Sequence, residues 1–327
     1  MRAAWYEQLG PARDVLTVGD IETPSPQAGE VLVKLAASGI NPSDVKKRAG
    51  WHGGTLEYER IAPHSDGAGV IEAVGADVPE DRIGERVWIF NGQRFRALGT
   101  AAEYIALPAE QAVPLPDAVD FGAGACLGIP ACTAHYALFW QGPLDGLTVL
   151  VQGGAGAVGQ YAIQLAALAG ARVIATVSSP EKAAMARNVG ALETIDYRKE
   201  DVVAAVQDFT DGAGVDHIVE VHFGANFETD AEILKPRGVI AAYSSTRAPR
   251  FDFDYYALGY KGARVAFVQA YLLNEAERAA AIVDLTRFME SGELRHDTRH
   301  RFPLDRIADA HELMESGTAL GNIVLEI

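Results

Sequence analysis

The hydrophobic pattern of the chain changes about one third of the way along. Before that point, short apolar runs alternate with clusters of glycine, proline and aspartate, which is typical of strands joined by turns. The strands predicted there are Val31–Ala37, Gly69–Val74 and Arg86–Phe90. This part of the chain is therefore expected to form a small β-barrel or sandwich.

From about Phe121 the pattern becomes one of buried strands alternating with helices, which predicts an α/β unit built on a parallel sheet. The α/β part begins with an apolar segment rich in alanine and glycine, Gly124–Trp140, which predicts a helix. The strands and helices predicted after it are the strands Val149–Gln152, Ala171–Val177, Glu193–Tyr197, Asp216–Val221 and Val239–Tyr243, and the helices Gln160–Ala169 and Thr229–Leu234.

The C-terminal part is predicted to contain two amphipathic helices, Glu275–Ser291 and Leu304–Glu315, and a last strand, Asn322–Ile327. It has too few apolar positions for a core of its own. We therefore expect it to fold back on the β-rich first part of the chain.

A glycine-rich turn stands between the first strand and the first helix of the α/β part. Gly154, Gly156 and Gly159 fit the pattern G-x-G-x-x-G. In such a unit one glycine makes the tight turn, one lets the backbone approach a phosphate, and one lets the helix pack on the strand. The N–H groups at the start of the helix then face the anion. This pattern predicts a binding site for a dinucleotide.

The end of the next strand bears on which nicotinamide cofactor binds. NAD sites usually place an Asp or Glu there to hold the ribose hydroxyls, whereas this strand ends in Val177-Ser178-Ser179. Lys182 is a candidate for holding the extra phosphate of NADPH, and Tyr197 could add a hydroxyl or a ring face. Each of them alone would be interpreted as an ordinary surface residue, and Glu181 leaves NAD open. Together these residues favour NADPH.

Composition narrows the classes of partner. The 327 residues suggest about two domains, and their formal net charge of −16 argues against nucleic acids and anionic lipids. No apolar run reaches the ~20 residues of a membrane span. Cys126 and Cys132 are too few for a disulfide framework or a four-thiolate zinc site. We expect a cytoplasmic protein.

Five stretches of the chain, and the order in which they occur, resemble those of the zinc-independent quinone oxidoreductases, the zeta-crystallin-like group of the medium-chain dehydrogenase/reductase superfamily. The resemblance covers nearly the whole chain. It implies an α/β fold with a GroES-like β-rich catalytic domain, residues 1–122 together with 265–327, and a Rossmann doubly wound parallel-sheet domain, residues 123–264. The stretches are Gly39–Gly50, Ser65–Gly75, Gly99–Asp117, Leu127–Leu138 and the glycine turn Val149–Gly159.

The same resemblance implies NADPH as cofactor and a homodimer. We predict that the last strand of the Rossmann sheet, around Ala263–Ala270, forms the interface of that dimer. It also implies a set of cofactor contacts in addition to Gly154 and Gly159. Those contacts are Ala155, Gly156, Ala157, Val158, Ser178, Lys182, Tyr197, Asn226, Ser244, Ser245, Phe267, Val268 and Gln269.

Zinc-dependent relatives carry a cysteine ligand at the position of Asn41 and a histidine at the position of Ser65. Without thiolates, the ligands of a catalytic zinc would have to be Asp44, His64 and Asp66. We therefore predict no metal. Reduction without a Lewis acid favours conjugated acceptors, whose own electronics accept a hydride.

Four residues are candidates for catalysis. Asn41 could stabilise the oxyanion that forms on the acceptor, although it could also be a turn residue before Pro42. Asp44 is expected to orient the loop. Lys46 stands where many relatives carry a tyrosine; it could donate to the oxyanion, but its charged run favours solvent. Thr133 is a candidate by family position.

These observations predict an NADPH-dependent reductase of quinones that works by hydride transfer without zinc. The first alternative is an enone or enoyl reductase of the same superfamily, which would use the same cofactor geometry. A protein that binds NADPH without turnover, as a sensor or structural protein, is an alternative from another class. A zinc alcohol dehydrogenase is a third.

Overall fold

The computed structural model describes every residue of the chain apart from the side chain of His52. It divides into two compact units. Unit 1 comprises Met1–Pro130 and Ile282–Ile327, and unit 2 comprises Ala131–Ala281. Among the described residues, no helix has both the length and the apolar character needed to cross a bilayer.

Fifteen strands form the sheets of the two units. They are β1 (Arg2–Trp5), β2 (Thr17–Asp20), β3 (Glu30–Ile40), β4 (Asp66–Val74), β5 (Arg86–Ile89), β6 (Tyr104–Pro108), β7 (Ala112–Pro114), β8 (Thr148–Val151), β9 (Arg172–Val177), β10 (Glu193–Asp196), β11 (Val215–Glu220), β12 (Leu234–Ala242), β13 (Arg264–Phe267), β14 (His300–Pro303) and β15 (Ile323–Glu326).

Eleven α-helices accompany them. They are α1 (Ala12–Val15), α2 (Pro42–Arg48), α3 (Phe121–Gly124), α4 (Cys132–Phe139), α5 (Ala157–Leu168), α6 (Pro180–Asn188), α7 (Val202–Phe209), α8 (Phe223–Ile233), α9 (Tyr255–Gly259), α10 (Glu275–Glu290) and α11 (Ile307–Ser316).

Unit 1 is built on a seven-stranded sheet in the order β14-β15-β3-β4-β5-β7, with β6 also paired to β3. The long strand β3 is antiparallel to β4, β6 and β15. Apolar side chains that alternate along the strands, such as Val31, Val33 and Ile71, form its core. Because β15 pairs with β3, the C-terminal segment folds back on the β-rich first part, as predicted.

Unit 2 contains a six-stranded parallel sheet in the order β10-β9-β8-β11-β12-β13. Leu150, Ile174 and Ile218 lie on its central strands and join one hydrophobic cluster with Phe227 of α8. The order reverses beside β8, so the carboxyl edge near this strand is the position where open α/β sheets bind ligands. The predicted α/β class with a GroES-like and a Rossmann unit is confirmed.

The segment predicted as a helix from Gly124 to Trp140 is not one α-helix. It comprises the end of α3, a π-helical stretch at Leu127–Ala131, and α4. Pro130 lies inside the π-helical stretch, and a proline cannot donate the backbone hydrogen bond of a regular helix. Two other helices are longer than predicted, since α5 begins at Ala157 and α8 at Phe223.

The two units divide at residues 130/131 and 281/282, whereas the predicted domain boundaries were 122/123 and 264/265. The second predicted boundary falls within β13. This strand is hydrogen-bonded to β12 and so belongs to the parallel sheet.

Candidate functional site

The glycine turn of unit 2 connects β8 to α5. Its left-handed residue is Gly153, with φ +71°, which precedes the predicted G-x-G-x-x-G motif. Gly154, the first glycine of the motif, follows it within the same turn. Gly153 also donates its N–H to Thr176 Oγ1 at 3.0 Å, which ties the turn to β9.

The three motif glycines occupy different environments. A Cβ on Gly159 would overlap the carbonyl oxygen of Gly153 and lie 2.9 Å from Gly154 Cα, and a Cβ on Gly154 would lie 2.7 Å from the side chain of Ala175. These two glycines are required for packing within the turn. Gly156 is exposed, and a Cβ there would lie 3.4 Å from the nearest atom. Its missing side chain leaves room for a ligand.

The first turn of α5 contains Ala157 and Val158, whose N–H groups have no partner four residues earlier in the helix. Ala155 precedes them and is buried. Backbone N–H groups at the start of a 12-residue helix favour an anion, because they add to the positive end of the helix dipole. The turn thus fits the pyrophosphate of a dinucleotide.

The end of β9 brings three predicted cofactor residues to one sheet edge. Lys182 Nζ lies 3.0 Å from Ser178 Oγ. Tyr197 follows β10, donates its N–H to the carbonyl of Val177 at 3.1 Å, and is 41% exposed. An ammonium beside the Ser178 hydroxyl, without an acid at the strand end, suits a phosphate better than two ribose hydroxyls.

The predicted cofactor residues after β11 and β12 bond mainly to the protein. Asn226 Nδ2 donates to both carboxylate oxygens of Glu220, at 3.0 and 3.1 Å. Ser245 Oγ donates to the carbonyl of Ala248 at 2.6 Å and accepts the N–H of Gly224 at 2.9 Å. Ser244 Oγ lies 3.0 Å from Thr246 Oγ1. These side chains shape two turns at the carboxyl edge of the sheet.

The remaining predicted cofactor residues lie at the end of β13. Phe267 is 77% exposed and contacts the ring of Phe223 edge-on. Val268 is buried and donates its N–H to the carbonyl of Ala242 at 2.8 Å. Gln269 is exposed and precedes a short 3₁₀ helix. The chain directly after β13 is therefore hydrogen-bonded to the carboxyl end of β12.

In unit 1, Asn41 and Asp44 hold each other at the start of α2. The N–H of Asn41 donates to Asp44 Oδ2 at 2.7 Å, and Asn41 Nδ2 donates to Asp66 Oδ2 at 2.9 Å. Both residues are buried, and burial raises the pKa of Asp44 to about 7. The bonds give Asn41 and Asp44 a role in shaping this loop.

The lysine and arginine residues at the end of α2 do not form one solvated face. Lys46 Nζ lies 4.1 Å from the ring centroid of Trp51, and partial burial lowers its pKa. Lys47 Nζ donates to Glu57 and Gln93, at 2.9 Å in each case. Arg48 is fully buried and paired with Glu315 of α11. Lys46, which is expected from its sequence to face solvent, is partly buried, and Arg48 of the same charged run is fully buried.

The fourth candidate for catalysis, Thr133, belongs to unit 2. It lies in α4 and is buried, with 5% of its surface exposed. The structure thus places Asn41, Asp44 and Lys46 on helix α2 of unit 1 and its N-cap, and Thr133 in the other unit.

A buried row of polar side chains crosses unit 1 beside α2. Thr100 Oγ1 lies 2.8 Å from Ser38 Oγ, which lies 2.9 Å from His64 Nδ1; His64 Nε2 lies 2.8 Å from His311 Nε2. Both ring nitrogens of His64 are therefore engaged within the protein. Among the described side chains, no group of three or more His, Cys, Asp or Glu is arranged to hold a metal ion.

The contact between the two histidine rings requires that at least one Nε2 carries no proton, because one must accept the bond. Burial lowers the pKa of His64 well below its usual range, and burial together with the charge of Arg48 lowers that of His311 to about 3. The unfolded chain binds a proton at His311 below about pH 6.5, whereas the folded chain does not until about pH 3. Because the unfolded chain then binds more protons than the folded chain, the free energy of unfolding decreases as the pH falls.

We therefore expect His311→Gln to change the pH dependence of the free energy of unfolding. Relative to the wild type, the variant should gain about 1.4 kcal/mol per pH unit as the pH falls from about 6 to about 4. Urea unfolding at several pH values measures this slope. His311→Leu should show the same slope with lower stability throughout, since it also removes the proton site but loses the hydrogen bond. Parallel curves for wild type and both variants would contradict the assignment.

Sequence reasoning missed a buried polar network in unit 2. It contains Thr176, Gln152, Glu220 and Asp230, all of them buried. A signal was present, because Gln152 directly follows the apolar end of β8 and Glu220 ends β11 after two apolar residues. Their partners could not be read from the sequence, since Gln152 and Asp230 are 78 positions apart.

Comparisons with known proteins match both units. Residues 27–117 match the alcohol dehydrogenase GroES-like domain, and residues 157–285 match the zinc-binding dehydrogenase family. A 2-haloacrylate reductase of a Burkholderia species is 29% identical over 333 residues, which is 99% of this chain and 98% of the relative.

Two quinone oxidoreductases are similar over the full length. The structure of the Escherichia coli quinone oxidoreductase complexed with NADPH matches with a TM-score of 0.88 and 26% identity, and the match covers 100% of both chains. The quinone oxidoreductase of Pseudomonas aeruginosa is 32% identical over 316 residues, which is 95% of each chain. Together with the glycine turn and the parallel sheet behind it, this similarity shows that the chain belongs to the quinone oxidoreductase family of the medium-chain dehydrogenases/reductases.

Proposed function

We propose that this protein is an NADPH-dependent quinone reductase. The main support for NADPH over NADH is the pairing of Lys182 with Ser178. This pair lies at the same sheet edge as the glycine turn, where Gly156 leaves open space. The choice of acceptor is supported by the quinone oxidoreductases that are similar over the whole chain.

The residues of unit 2 fit NADPH. The first turn of α5 and the open space at Gly156 suit the pyrophosphate, and Lys182, Ser178 and Tyr197 suit the additional phosphate on the ribose. When bound, NADPH supplies the hydride that reduces the acceptor. The protein binds and orients both reactants.

Unit 1 supplies the groups that act on the acceptor. A quinone that accepts a hydride develops a phenolate oxygen, which then needs a proton to become a hydroquinone. Lys46 is a cationic N–H donor of the right kind for that oxygen, and partial burial strengthens its interaction with a developing charge. Asn41 and Asp44 keep the start of α2 in place through their mutual hydrogen bond.

The activity is tested by anaerobic oxidation of NADPH in the presence of a chelator, with 1,4-benzoquinone, 2-cyclohexenone or an aldehyde as acceptor and with NADH in parallel. Rapid turnover of the quinone with NADPH supports the proposal. Reduction of the enone alone would favour the second candidate, an alkene reductase, to which the similarity with a 2-haloacrylate reductase points. Binding of NADPH without turnover of any acceptor would favour a non-catalytic protein.

The role of Lys46 gives a more specific prediction. Lys46→Met should lower kcat for the quinone about 10- to 100-fold, while the dissociation constant for NADPH stays unchanged, because the lost group acts on the acceptor. Lys47→Met is the matched control, since Lys47 is bonded to Glu57 and Gln93. Steady-state kinetics and NADPH fluorescence measure the two quantities. Equal kcat values for the two variants would remove Lys46 from the mechanism.

We also propose that the chain forms a homodimer through β13. This strand is the last of the parallel sheet and pairs on one side only, with β12. Unpaired strand edges associate readily with other strands. Tyr255, Tyr256 and Tyr260 lie just before β13, their rings contact one another, and they are 67%, 60% and 85% exposed. A second copy of the chain would cover this aromatic surface.

Light scattering after size exclusion, at micromolar concentration, should give the mass of two chains. Tyr260→Glu should shift the protein toward the monomer, because it places a charge within the aromatic surface. Leu192→Glu is the matched control, since Leu192 is 61% exposed and precedes β10 at the opposite edge of the same sheet. A wild-type protein that elutes as a monomer would contradict the proposal.

A further inference from the structure

Two carboxyl groups are buried together in unit 2. Glu220 ends β11, Asp230 lies on α8, and neither side chain is exposed to solvent. The two carboxyl groups are close enough to interact, and no other group bonds to Asp230 Oδ2, which is buried. Among the described residues, no lysine or arginine forms an ion pair with either of them. Two ionised carboxylates without a cation are very costly in such a place, so one proton must be present.

A directed row of hydrogen bonds connects this carboxyl pair to the glycine turn. Gly153 donates its N–H to Thr176 Oγ1 at 3.0 Å, and Thr176 Oγ1 donates to Gln152 Oε1 at 2.7 Å. Gln152 Nε2 then donates to Asp230 Oδ1 at 3.0 Å. All three hydrogen bonds run in the same direction, with the donor on the side of the turn and the acceptor on the side of Asp230.

On its other side, the carboxyl pair holds the start of α8. Glu220 accepts the backbone N–H of His222 and both hydrogen bonds from Asn226 Nδ2. These two residues follow the carboxyl end of β11. The pair thus lies between the turn after β8 and the turn after β11, which meet at the ligand-binding edge of the sheet.

The surroundings place the proton on Asp230. Burial, the neighbouring charge of Glu220 and the hydrogen bond to it raise the pKa of Asp230 well above its usual range. Glu220 has an amide and two backbone N–H groups that stabilise its ionised form. Protonated Asp230 is therefore the donor, and ionised Glu220 the acceptor, of the bond between them.

We propose that Asp230 and Glu220 are positioning residues for the cofactor, which share one proton and hold the glycine turn and the β11–α8 turn in one arrangement. Loss of this proton at alkaline pH removes the bond that joins the two turns. It also adds a negative charge to a unit that binds a polyanion, so the affinity for NADPH falls as the pH rises. The inference rests on the proposed binding of NADPH to unit 2.

The other groups around the carboxyl pair do not provide this change. Gln152 and Thr176, from the ends of β8 and β9, are neutral at every pH of interest. The titratable side chain that follows β12 is Tyr243, and burial and the charge of Glu220 raise its pKa above its usual value, so it stays neutral. At the start of α8, His222 donates its backbone N–H to Glu220, and its imidazole is unchanged in both variants below, so a flat profile in them assigns the change to the carboxyl pair.

The experiment measures the dissociation constant of NADPH by fluorescence from about pH 6.5 to about pH 9.5. In the wild type it should rise at least about fivefold toward alkaline pH. Asp230→Asn, which mimics the protonated acid and keeps a donor to Glu220, should bind NADPH at neutral pH and show a nearly flat profile. Glu220→Gln should also be flat, because it too leaves a single acid.

Asp208→Asn is the control, since it removes an exposed carboxylate of the same unit and should retain the wild-type profile. The proposal is overturned if Asp230→Asn and Glu220→Gln follow the wild-type profile, or if the wild type itself is flat. If the wild type binds no NADPH at any pH, the proposed function fails instead. Thermal unfolding at each pH shows whether a change in affinity accompanies a loss of the fold.

Discussion

Gly159→Ala is expected to abolish NADPH binding and to destabilise the glycine turn. The new Cβ would overlap the carbonyl oxygen of Gly153 and lie 2.9 Å from Gly154 Cα. Both are backbone atoms, so the turn has to move, at a cost of about 1 to 3 kcal/mol. A displaced turn no longer directs its N–H groups at the pyrophosphate, and we expect the affinity for NADPH to fall at least about 100-fold.

Gly156→Ala provides the matched comparison. Its Cβ would lie 3.4 Å from the nearest atom, and Gly156 has φ −75°, which alanine adopts without strain. The variant should keep the melting temperature of the wild type but lose at least about tenfold in affinity, because the methyl group occupies space left for the phosphate. Calorimetry of unfolding and NADPH titration separate the two effects. Normal NADPH binding by Gly156→Ala would show that the phosphate lies elsewhere.

Lys182→Ala should change the preference between the two nicotinamide cofactors. A charge-assisted hydrogen bond contributes about 1.5 to 3 kcal/mol, so KM for NADPH should rise about 10- to 100-fold. KM for NADH, which lacks the additional phosphate, should change less than about twofold. Steady-state kinetics with both cofactors and a saturating quinone measure the ratio.

Arg187→Ala is the control for this prediction. Arg187 lies on the same helix, α6, but near its C-terminal end, where it forms an exposed ion pair with Glu193. Its loss removes the same charge without touching the end of β9. If both variants lost NADPH affinity equally, the effect would be one of net charge, and Lys182 would have no specific role.

The sequence was sufficient to predict most of the fold because its patterns are local. Several parallel strands of unit 2 contain continuous apolar runs, such as Val149–Val151 and Val239–Ala242, and the turn before α5 has a glycine spacing that few other structures require. The serines after β9 sit where an acid would indicate NAD, and Lys182 follows within one helical turn. These features lie within a few residues of one another.

The local patterns did not predict the backbone conformation where it depends on a single residue. The stretch from Gly124 to Trp140 has the composition of one helix, yet Pro130 and the π-helical residues around it interrupt the α-helical hydrogen bonds. The left-handed residue of the glycine turn is Gly153, one position before the motif, because the chain must reverse directly after β8.

By itself the sequence determined the class of each unit, the glycine turn and the candidate phosphate-binding side chains beside it, since each depends on neighbours along the chain. Only the tertiary structure decided which polar side chains are buried together. His64 meets His311 from 247 positions away, and Gln152 meets Asp230 from 78 positions away. The pKa of a buried group depends on such partners and on the loss of water around it. Periodicity and composition record neither of these.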